Sequence, residues 1–224
     1  GWRTLWRDLR SGDLRLLMVA VTLAVAALTA VGFFADRLKG GLQRDALQLL
    51  GGDAVVSSDN PTPANFVAKA RELGLSVVTN LGFPTMARAT DEQGGAAKLV
   101  ALKVVEPGYP LRGALRVASA PDAADTITRA IPARGQAWVD AALLEALGLK
   151  MGDTLLLGDA RLIVHTVIVV EPDRGAGFMN FAPRVMINTQ DIAATKLIQP
   201  ASRLTYRFAV AGDEKPVQEF VAWA

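Results

Sequence analysis

An uncharged apolar run, LLMVAVTLAVAALTAVGFF, extends from Leu16 to Phe34 of the 224-residue chain. Its 19 residues form about 28 Å of α-helix at about 1.5 Å per residue, which matches the ~30 Å hydrocarbon core of a bilayer. Ten of them are Leu, Val or Phe, and these favour insertion by about 3 to 6 kcal/mol. The run therefore predicts a transmembrane helix, which we place over residues 14–35.

A cleaved signal peptide and the core helix of a soluble domain are the alternatives to a membrane span. The apolar region of a signal peptide usually covers about 7–15 residues and ends at a small-x-small cleavage site. This run is longer, and the Ala35-Asp36-Arg37-Leu38-Lys39 stretch after it is a poor cleavage site. A buried helix rarely needs so long a run without polar residues. We therefore expect the helix to stay in the membrane.

Aromatic residues lie at both ends of the predicted span. Trp2 and Trp6 share the apolar side of a short helix predicted over residues 1–13, which is typical of a helix at the membrane interface. An ordinary cytosolic helix is the alternative. Phe33 and Phe34 lie at the other end of the run, where aromatic rings act as interface anchors. The alternative for these two residues is that they border a lateral route for a lipid.

The helical pattern continues beyond the span. Apolar residues recur with a 3.6-residue period, and the Gly51-Gly52 pair that follows is typical of a helix end. We therefore predict a stalk helix over residues 36–52. Basic residues are slightly more frequent before the span than directly after it, which favours a cytoplasmic N-terminus. We expect the remainder to lie in the periplasm, with the span in a bacterial inner membrane.

Composition excludes several classes of function. The net charge is only +2 and the pI is about 9.1, and the basic residues are dispersed without interleaved aromatics, which argues against nucleic-acid binding. The chain contains no Cys, so a thiol nucleophile, a Cys-ligated metal and disulfides are excluded. It begins with Gly and ends within a helical pattern, and we expect it to be a segment of a longer polypeptide.

Residues 53–120 show an alternation of strand and helix patterns. A strand over 53–59 is followed by a helix with Phe66, Ala70 and Leu73 on one face, and then by a strand over 75–90. We expect the Gly82-Phe83-Pro84 sequence to interrupt that last strand. A DEQGG turn leads to a further strand over 97–106. The order β-α-β-β predicts an α+β fold.

Residues 121–195 have frequent turn signals and predict a small β-rich subdomain. Its first part, Pro121–Pro132, is polar and rich in proline, so we interpret it as a linker. We expect a helix to start at Val139-Asp140 and to end at Gly148. Residues 196–224 predict one strand and one helix, which would begin a second half of the α+β unit.

No pattern of catalytic, cofactor-binding or metal-binding residues is present. The chain lacks the G-x-x-x-x-G-K-[ST] phosphate loop and the G-x-S-x-G elbow. His165 is the single histidine, in an alternating strand pattern, and we interpret it as structural. We expect six short carboxylates to satisfy backbone N–H groups at caps and turns, namely Asp53, Asp59, Asp140, Asp153, Asp159 and Asp173. The chain is therefore predicted not to be an enzyme.

The loop DRGAGFMNF, residues 173–181, is the best candidate for a contact site. Arg174, Phe178, Met179 and Phe181 lie in a glycine-rich connection in which they cannot all belong to the core. Apolar residues on such a loop favour contact with a partner, another periplasmic domain or a lipid. The alternative is a hairpin that folds its aromatic rings back onto the sheet.

Several stretches, taken in order, carry a family resemblance. They are RDLRSGDLRLL, VAALTAVGFFADRL, LLGGDAVVSSDNP, LKVVEPGYPLRG, LGLKMGDTLLLG, VVEPDRGAGFMNFAPRVMIN and ASRLTYRF. Together they resemble the N-terminal part of an FtsX-like, MacB-type ABC transporter permease, closest to the YbbP group. The resemblance implies a stalked periplasmic α+β domain that carries an inserted β-rich subdomain.

The resemblance also implies a function. Such permeases pair with a separate cytoplasmic ATPase, here a YbbA-like subunit that would hold ATP and Mg²⁺, and relay its motion to the periplasm. A TesA-like periplasmic esterase is a further implied partner, and lipids or other hydrophobic molecules are the implied substrates. From the residues alone, a membrane-anchored periplasmic binding or sensor module without transport remains the main alternative, and a tethered hydrolase is a third.

Overall fold

One long helix, α1, spans Gly12–Leu50 of the computed structural model, which describes residues 12–174, 181–199 and 202–224. Within it, Leu16–Lys39 is long and apolar enough to cross a membrane, with a mean hydropathy of 2.4 and none of that window buried. The Thr22 and Thr29 hydroxyls each donate a 2.7 Å hydrogen bond to a carbonyl one turn earlier. These bonds satisfy the hydroxyls inside the helix, which lowers their cost in lipid.

The chain divides into two units, residues 1–46 and residues 47–224. The second unit contains four shorter helices and ten strands among the residues described. The helices are α2 Ala64–Glu72, α3 Ala141–Leu147, α4 Ile192–Thr195 and α5 Glu214–Trp223. The strands are β1 Ala54–Ser58, β2 Ser76–Ala89, β3 Ala97–Val105, β4 Leu115–Ala118, β5 Thr126–Thr128, β6 Gln136–Asp140, β7 Thr154–Leu157, β8 Ala160–Val170, β9 Arg184–Asn188 and β10 Thr205–Ala211.

Six of these strands close on themselves through continuous backbone pairing. The ring runs β2, β3, β9, β6, β8 and β7, and β7 pairs back onto the far end of β2. The β3–β9 and β6–β8 pairs are parallel, and the other pairs of the ring are antiparallel. Closure removes free strand edges. The interior is filled by alternate side chains such as Leu102, Leu155, Val164 and Ile187, each completely buried.

Two extensions leave the ring. On one side, β10 pairs with β2 and β1 pairs with β10, both antiparallel. Phe208 and Val210 of β10 pack with Ala70 of α2 and with Phe220 of α5, which forms a second, helix-covered core. On the other side, β4 pairs with β8 and β5 pairs with β4. The predicted α+β class is therefore confirmed.

The predicted interruption of the second strand is wrong. β2 runs without a break through Gly82, Phe83 and Pro84. β10 pairs with β2 only as far as Gly82 and β7 joins it at Ala87. Pro84 therefore lies where β2 is paired with β3 alone, at a local edge where a residue without an N–H group is tolerated.

Two other predicted elements differ from the structure. The stretch interpreted as a linker contains β5, Thr126–Thr128, which pairs with β4. Val139 and Asp140 end strand β6 instead of starting a helix, and α3 begins at Ala141 with Asp140 as its N-cap. The apolar Ala-Trp-Val triplet before Asp140 fills a buried strand, a pattern that periodicity alone does not separate from the start of a helix.

Several predicted features lie outside the described residues. Trp2 and Trp6, most of the interfacial helix predicted over 1–13, and the loop residues Phe178 and Met179 belong to this group. The predicted domain boundaries at 120 and 195 stay predictions, although strands from both sides of each boundary pair within one sheet.

Candidate functional site

The residues directly after α1 are held by backbone hydrogen bonds to the strands and loops of the sheet unit. Gly51 follows the helix with a positive φ of 72°, and its carbonyl accepts the N–H groups of Leu111 and Arg112 at 3.1 and 3.2 Å. Two residues later, the Asp53 N–H donates to the Val210 carbonyl at 2.8 Å. The chain therefore leaves the helix already bonded to strand β10 and to the loop before β4.

A side-chain ion pair reinforces this attachment. Arg112 donates to both carboxylate oxygens of Asp53, at 2.8 and 2.6 Å, and the Gly212 N–H donates to the same carboxylate at 2.9 Å. Burial raises the pKa of Asp53, but these hydrogen bonds outweigh it and hold the pKa below its ordinary value. Bidentate pairing of this kind fixes orientation as well as distance.

A buried ionic cluster lies next to the helix end. Lys103 of β3 is 4 % exposed. Its neighbours Leu102 and Val104 face the ring interior, so Lys103 points to the opposite side of the strand. Its ammonium group donates to Glu171 and Asp173 at 2.7 Å each and to the Tyr109 hydroxyl at 2.8 Å. The two carboxylates come from the segment directly after β8.

The rest of the cluster satisfies the remaining oxygens. Tyr109 donates its hydroxyl proton to Asp173, and Arg184 donates to Glu171 at 2.7 Å. Burial, followed by the nearby carboxylate charges, raises the pKa of Tyr109 well above its ordinary value. Burial also raises the pKa of Asp173, but the Lys103 charge, the hydrogen bonds from Lys103 and Tyr109 and the Arg207 charge together outweigh this and lower it. Such a cluster is retained only when its geometry is complete, because an unpaired buried charge is costly.

The helix end and the cluster are in direct contact. A Cβ atom added to Gly51 would lie 3.0 Å from the Asp173 Cβ. Arg207 of β10 donates to the Asp173 carbonyl at 3.1 Å and to the Leu50 carbonyl at 3.5 Å. We call Leu50, Gly51, Asp53, Arg112 and Arg207 the helix joint. The helix joint therefore rests directly on the buried ionic cluster.

The structure describes four of the residues predicted to contact a partner or the membrane interface, and their surroundings differ. Arg174 donates to Asp140 at 2.7 Å, and Phe181 is 86 % exposed. Phe33 and Phe34 are 61 % and 69 % exposed. Nothing further tests these four residues, and their roles stay predictions.

His165 and the short carboxylates have clear structural surroundings. The exposed His165 lies 2.8 Å from the Thr166 hydroxyl. The expectation of caps and turns holds for Asp153, which accepts the Lys150 N–H. It also holds for Asp53, which accepts the Gly212 N–H besides pairing with Arg112, and for Asp140, the N-cap of α3, which accepts the Arg184 N–H besides pairing with Arg174. It is wrong for Asp173, which forms an ion pair with Lys103. Within the described part of the chain, no group of three His, Asp or Glu side chains could hold a metal ion.

Sequence reasoning missed most of the joint and the cluster. One signal was available, because Lys103 interrupts the otherwise apolar stretch LVALKVV, residues 99–105, of β3. A lysine on the covered face of a strand requires a buried acidic partner. The partner itself, the Glu171-Pro172-Asp173 sequence, lies far along the chain, and no spacing rule connects it to Lys103.

Comparison with known proteins identifies a relative that matches almost the whole of this chain. No family model matches the chain. It is 33 % identical over 221 residues, 99 % of its length, to a protein of Escherichia coli (strain K12) named "Uncharacterized ABC transporter permease YbbP". This chain is homologous to part of an ABC transporter permease. The YbbP-like chain spans about a quarter of that relative, 26 % of its length.

A solved structure is also similar to the YbbP-like chain. It is the extracellular domain of the ABC-type transporter YknZ from Gram-positive bacteria, with 12 % identity and a TM-score of 0.47. The match covers 75 % of this chain and 88 % of that domain.

Proposed function

We propose that the chain is part of a permease subunit that relays the motion of an ATPase through a membrane helix to a sheet domain. The helix joint carries this proposal. Leu50, Gly51 and Asp53 are each bonded to the sheet unit, so a displacement of the helix end is passed to β10 and to the loop before β4. A flexible tether would instead absorb such a displacement.

The ATP-hydrolysing partner would be a separate cytoplasmic subunit similar to YbbA. The chain has no glycine-rich phosphate loop of its own, and its relative is named as an ABC transporter permease. ATP and Mg²⁺ would therefore bind to the partner, and this subunit would be non-catalytic. A TesA-like periplasmic esterase is a further proposed partner.

We place the span in a bacterial inner membrane with the sheet unit in the periplasm. The chain lacks Cys, so a single Ile127→Cys substitution at an exposed site gives one label position. A membrane-impermeant maleimide should label it in intact spheroplasts. Labelling only after lysis would reverse the proposed orientation.

Lipids or other hydrophobic molecules are the proposed substrates. An apolar groove of about 460 Å³ supports this choice, and Leu99, Phe181 and Pro183 are among its lining residues. Exposed apolar surface of this kind suits contact with acyl chains. Mass spectrometry of molecules that copurify with the intact permease would identify them. Recovery of hydrophilic molecules alone would contradict the lipid assignment.

The relay is tested by lengthening the joint. Four residues, Gly-Ser-Gly-Ser, are inserted between Gly51 and Gly52 of the whole permease, which is then reconstituted with its ATPase. Spin labels on the sheet unit and on the membrane helix report an ATP-dependent change in their distance. We expect the insertion to abolish that change while ATP hydrolysis continues.

The control is the same insertion between Gly94 and Gly95, in the turn that joins β2 to β3. It adds the same flexible residues away from the joint and should preserve the distance change. An unaltered distance change in the joint variant would refute the relay. Failure of any ATPase to copurify with the intact permease would favour a membrane-anchored binding module.

A further inference from the structure

A cleft of about 180 Å³ opens beside the ionic cluster. It lies beside β2 between Gly82, where the pairing with β10 ends, and Ala87, where the pairing with β7 begins. Phe83 and Pro84 form one wall, and Arg207 and Thr205 come from β10. At about 30 Å³ per water molecule, this space corresponds to roughly six waters, enough for a small polar group.

The charges around the cleft do not balance. Lys103, Arg184 and Arg207 contribute three positive charges, and the carboxylates paired with them are Glu171 and Asp173. The surplus lies at Arg207, whose closest carboxylate oxygen, on Asp173, is 3.9 Å away. Its other acceptors are backbone carbonyls, and among the residues that the structure describes its buried Nε atom has no hydrogen-bond partner.

A neutral polar side chain also lines the cleft without a partner. Asn80 is 4 % exposed, and within the described residues its side chain forms no hydrogen bond. It lies directly opposite Arg207 in the β2–β10 pairing. Its amide atoms are not sealed off from solvent, so they face the cleft and can form hydrogen bonds with a group that enters it. The pair therefore offers an amide donor and a guanidinium group to the same space.

We propose that this cleft binds a phosphate group, with Arg207 and Asn80 as its main ligands. A guanidinium group suits phosphate oxygens in charge and geometry. A phosphate would neutralise the surplus charge and accept a hydrogen bond from the Asn80 amide. The apolar wall at Phe83 and Pro84 also suits the first carbons of a phospholipid. The phosphate source is therefore either the free ion or a lipid headgroup, and neither depends on the proposed relay.

The Asn80→Asp variant tests the site with little risk to the fold. The new carboxylate lies opposite Arg207, so it should pair with the surplus charge and occupy the place of the phosphate. The full chain is prepared in maltoside micelles and titrated by calorimetry with inorganic phosphate or with dihexanoylphosphatidylglycerol. We expect saturable binding to the unsubstituted chain, and affinity at least about tenfold lower in Asn80→Asp.

The matched control is Asn60→Asp, the same change at an exposed turn, and it should leave the affinity unchanged. A thermal midpoint of Asn80→Asp equal to or above that of the unsubstituted chain confirms that it folds. A second variant, Thr205→Glu, adds a negative charge at the exposed rim of the cleft without altering the core, and it should weaken binding in the same direction.

Comparison of inorganic phosphate with dihexanoylphosphatidylglycerol distinguishes the free ion from a lipid headgroup as the source of the phosphate. Equal affinity for both indicates that the phosphate ion alone is recognised. Affinity at least about tenfold higher for the lipid indicates that the apolar wall contributes as well. The absence of saturable binding with either probe would overturn the proposal. Binding that neither Asn80→Asp nor Thr205→Glu weakens would also overturn it.

Discussion

A single ammonium group, that of Lys103, holds two carboxylates and a phenol that are almost completely shielded from water. The energy of such an arrangement is asymmetric. The complete cluster contributes little net stability, because desolvation offsets the attraction between its charges, whereas the loss of one member leaves the others buried and uncompensated. The residues of the cluster should therefore be sensitive to single substitutions.

Lys103→Met tests this asymmetry. Methionine fills a similar volume but leaves Glu171 and Asp173 without their shared cation, so we expect a loss of about 3–5 kcal/mol in the free energy of unfolding. Urea unfolding of the full chain in maltoside micelles, followed by circular dichroism, measures it. Arg116→Gln is the control, because it breaks a half-exposed pair with Asp125 and should cost less than about 1 kcal/mol. A loss of similar size in both variants would contradict the argument.

Gly51→Ala tests how closely the chain passes over Asp173. Gly51 and Gly74 have nearly the same positive φ, 72° and 71°. A Cβ atom on Gly51 meets Asp173 at 3.0 Å, whereas one on Gly74 meets nothing within 4 Å. Gly74→Ala should cost about 1 kcal/mol through backbone strain alone, and Gly51→Ala should cost more. Equal losses in the same unfolding experiment would show that the close approach adds nothing.

At the scale of single residues, the sequence predicted few of the contacts in the structure. It indicated which residues are charged, but not which of them form ion pairs with each other. Asp173 was predicted to satisfy a turn and instead binds Lys103 of a distant strand. Arg112 and Asp53 were not paired in the prediction, because the contact depends on how the chain returns to the helix end. Long-range pairs follow from topology, which local patterns do not determine.

Among the elements, the long helix was the best predicted. Its apolar run is long and uniform, which separates it from strands, and none of its apolar window is buried, unlike that of an ordinary core helix. The strands in which apolar and polar residues alternate clearly were also predicted from the sequence. The errors occurred where a strand is apolar on both faces, as in β6, or contains proline at a local edge, as in β2. In both cases the neighbouring strands decide the structure.

Val25→Arg tests the membrane helix as an element. Val25 lies within the apolar window, and an arginine near the centre of a span opposes insertion by about 2.5–3.5 kcal/mol. We expect a substantial fraction of the protein to leave the membrane pellet after carbonate extraction. Leu38→Arg, at the end of the window, should have little effect because its side chain can reach the headgroups. Retention of both variants in the pellet would argue against a span.

The stability of the sheet unit as a whole depends on groups that titrate on both sides of neutral pH. Asp53 and Asp173 have lowered pKa values, so the unfolded chain takes up their protons first as the pH falls below about 4. Their contribution is present above that pH and is lost below it. Tyr109 has a raised pKa, so its contribution is lost as the pH rises above about 10. The architecture is therefore most stable between these limits.

The pH dependence is measured by urea unfolding from pH 2.5 to 7. Asp53→Asn should lower the stability at pH 7 and flatten the decline below pH 4, because asparagine does not titrate. The exposed Asp59→Asn substitution, which removes one carboxylate outside the helix joint, is the control. An unaltered acid slope in Asp53→Asn would mean that the ion pair with Arg112 does not contribute to stability.

The strand order has a consequence for synthesis. β1 lies at the outer edge of the sheet, and Ala54 pairs with Val210 of β10, near the opposite end of the unit's sequence. While the ribosome is still making the intervening residues, the segment directly after the membrane helix has no partner strand. It stays an unpaired edge until β10 has been synthesised and can pair with it, and such edges are prone to aggregation. The sheet therefore depends on its last strand to cover the first.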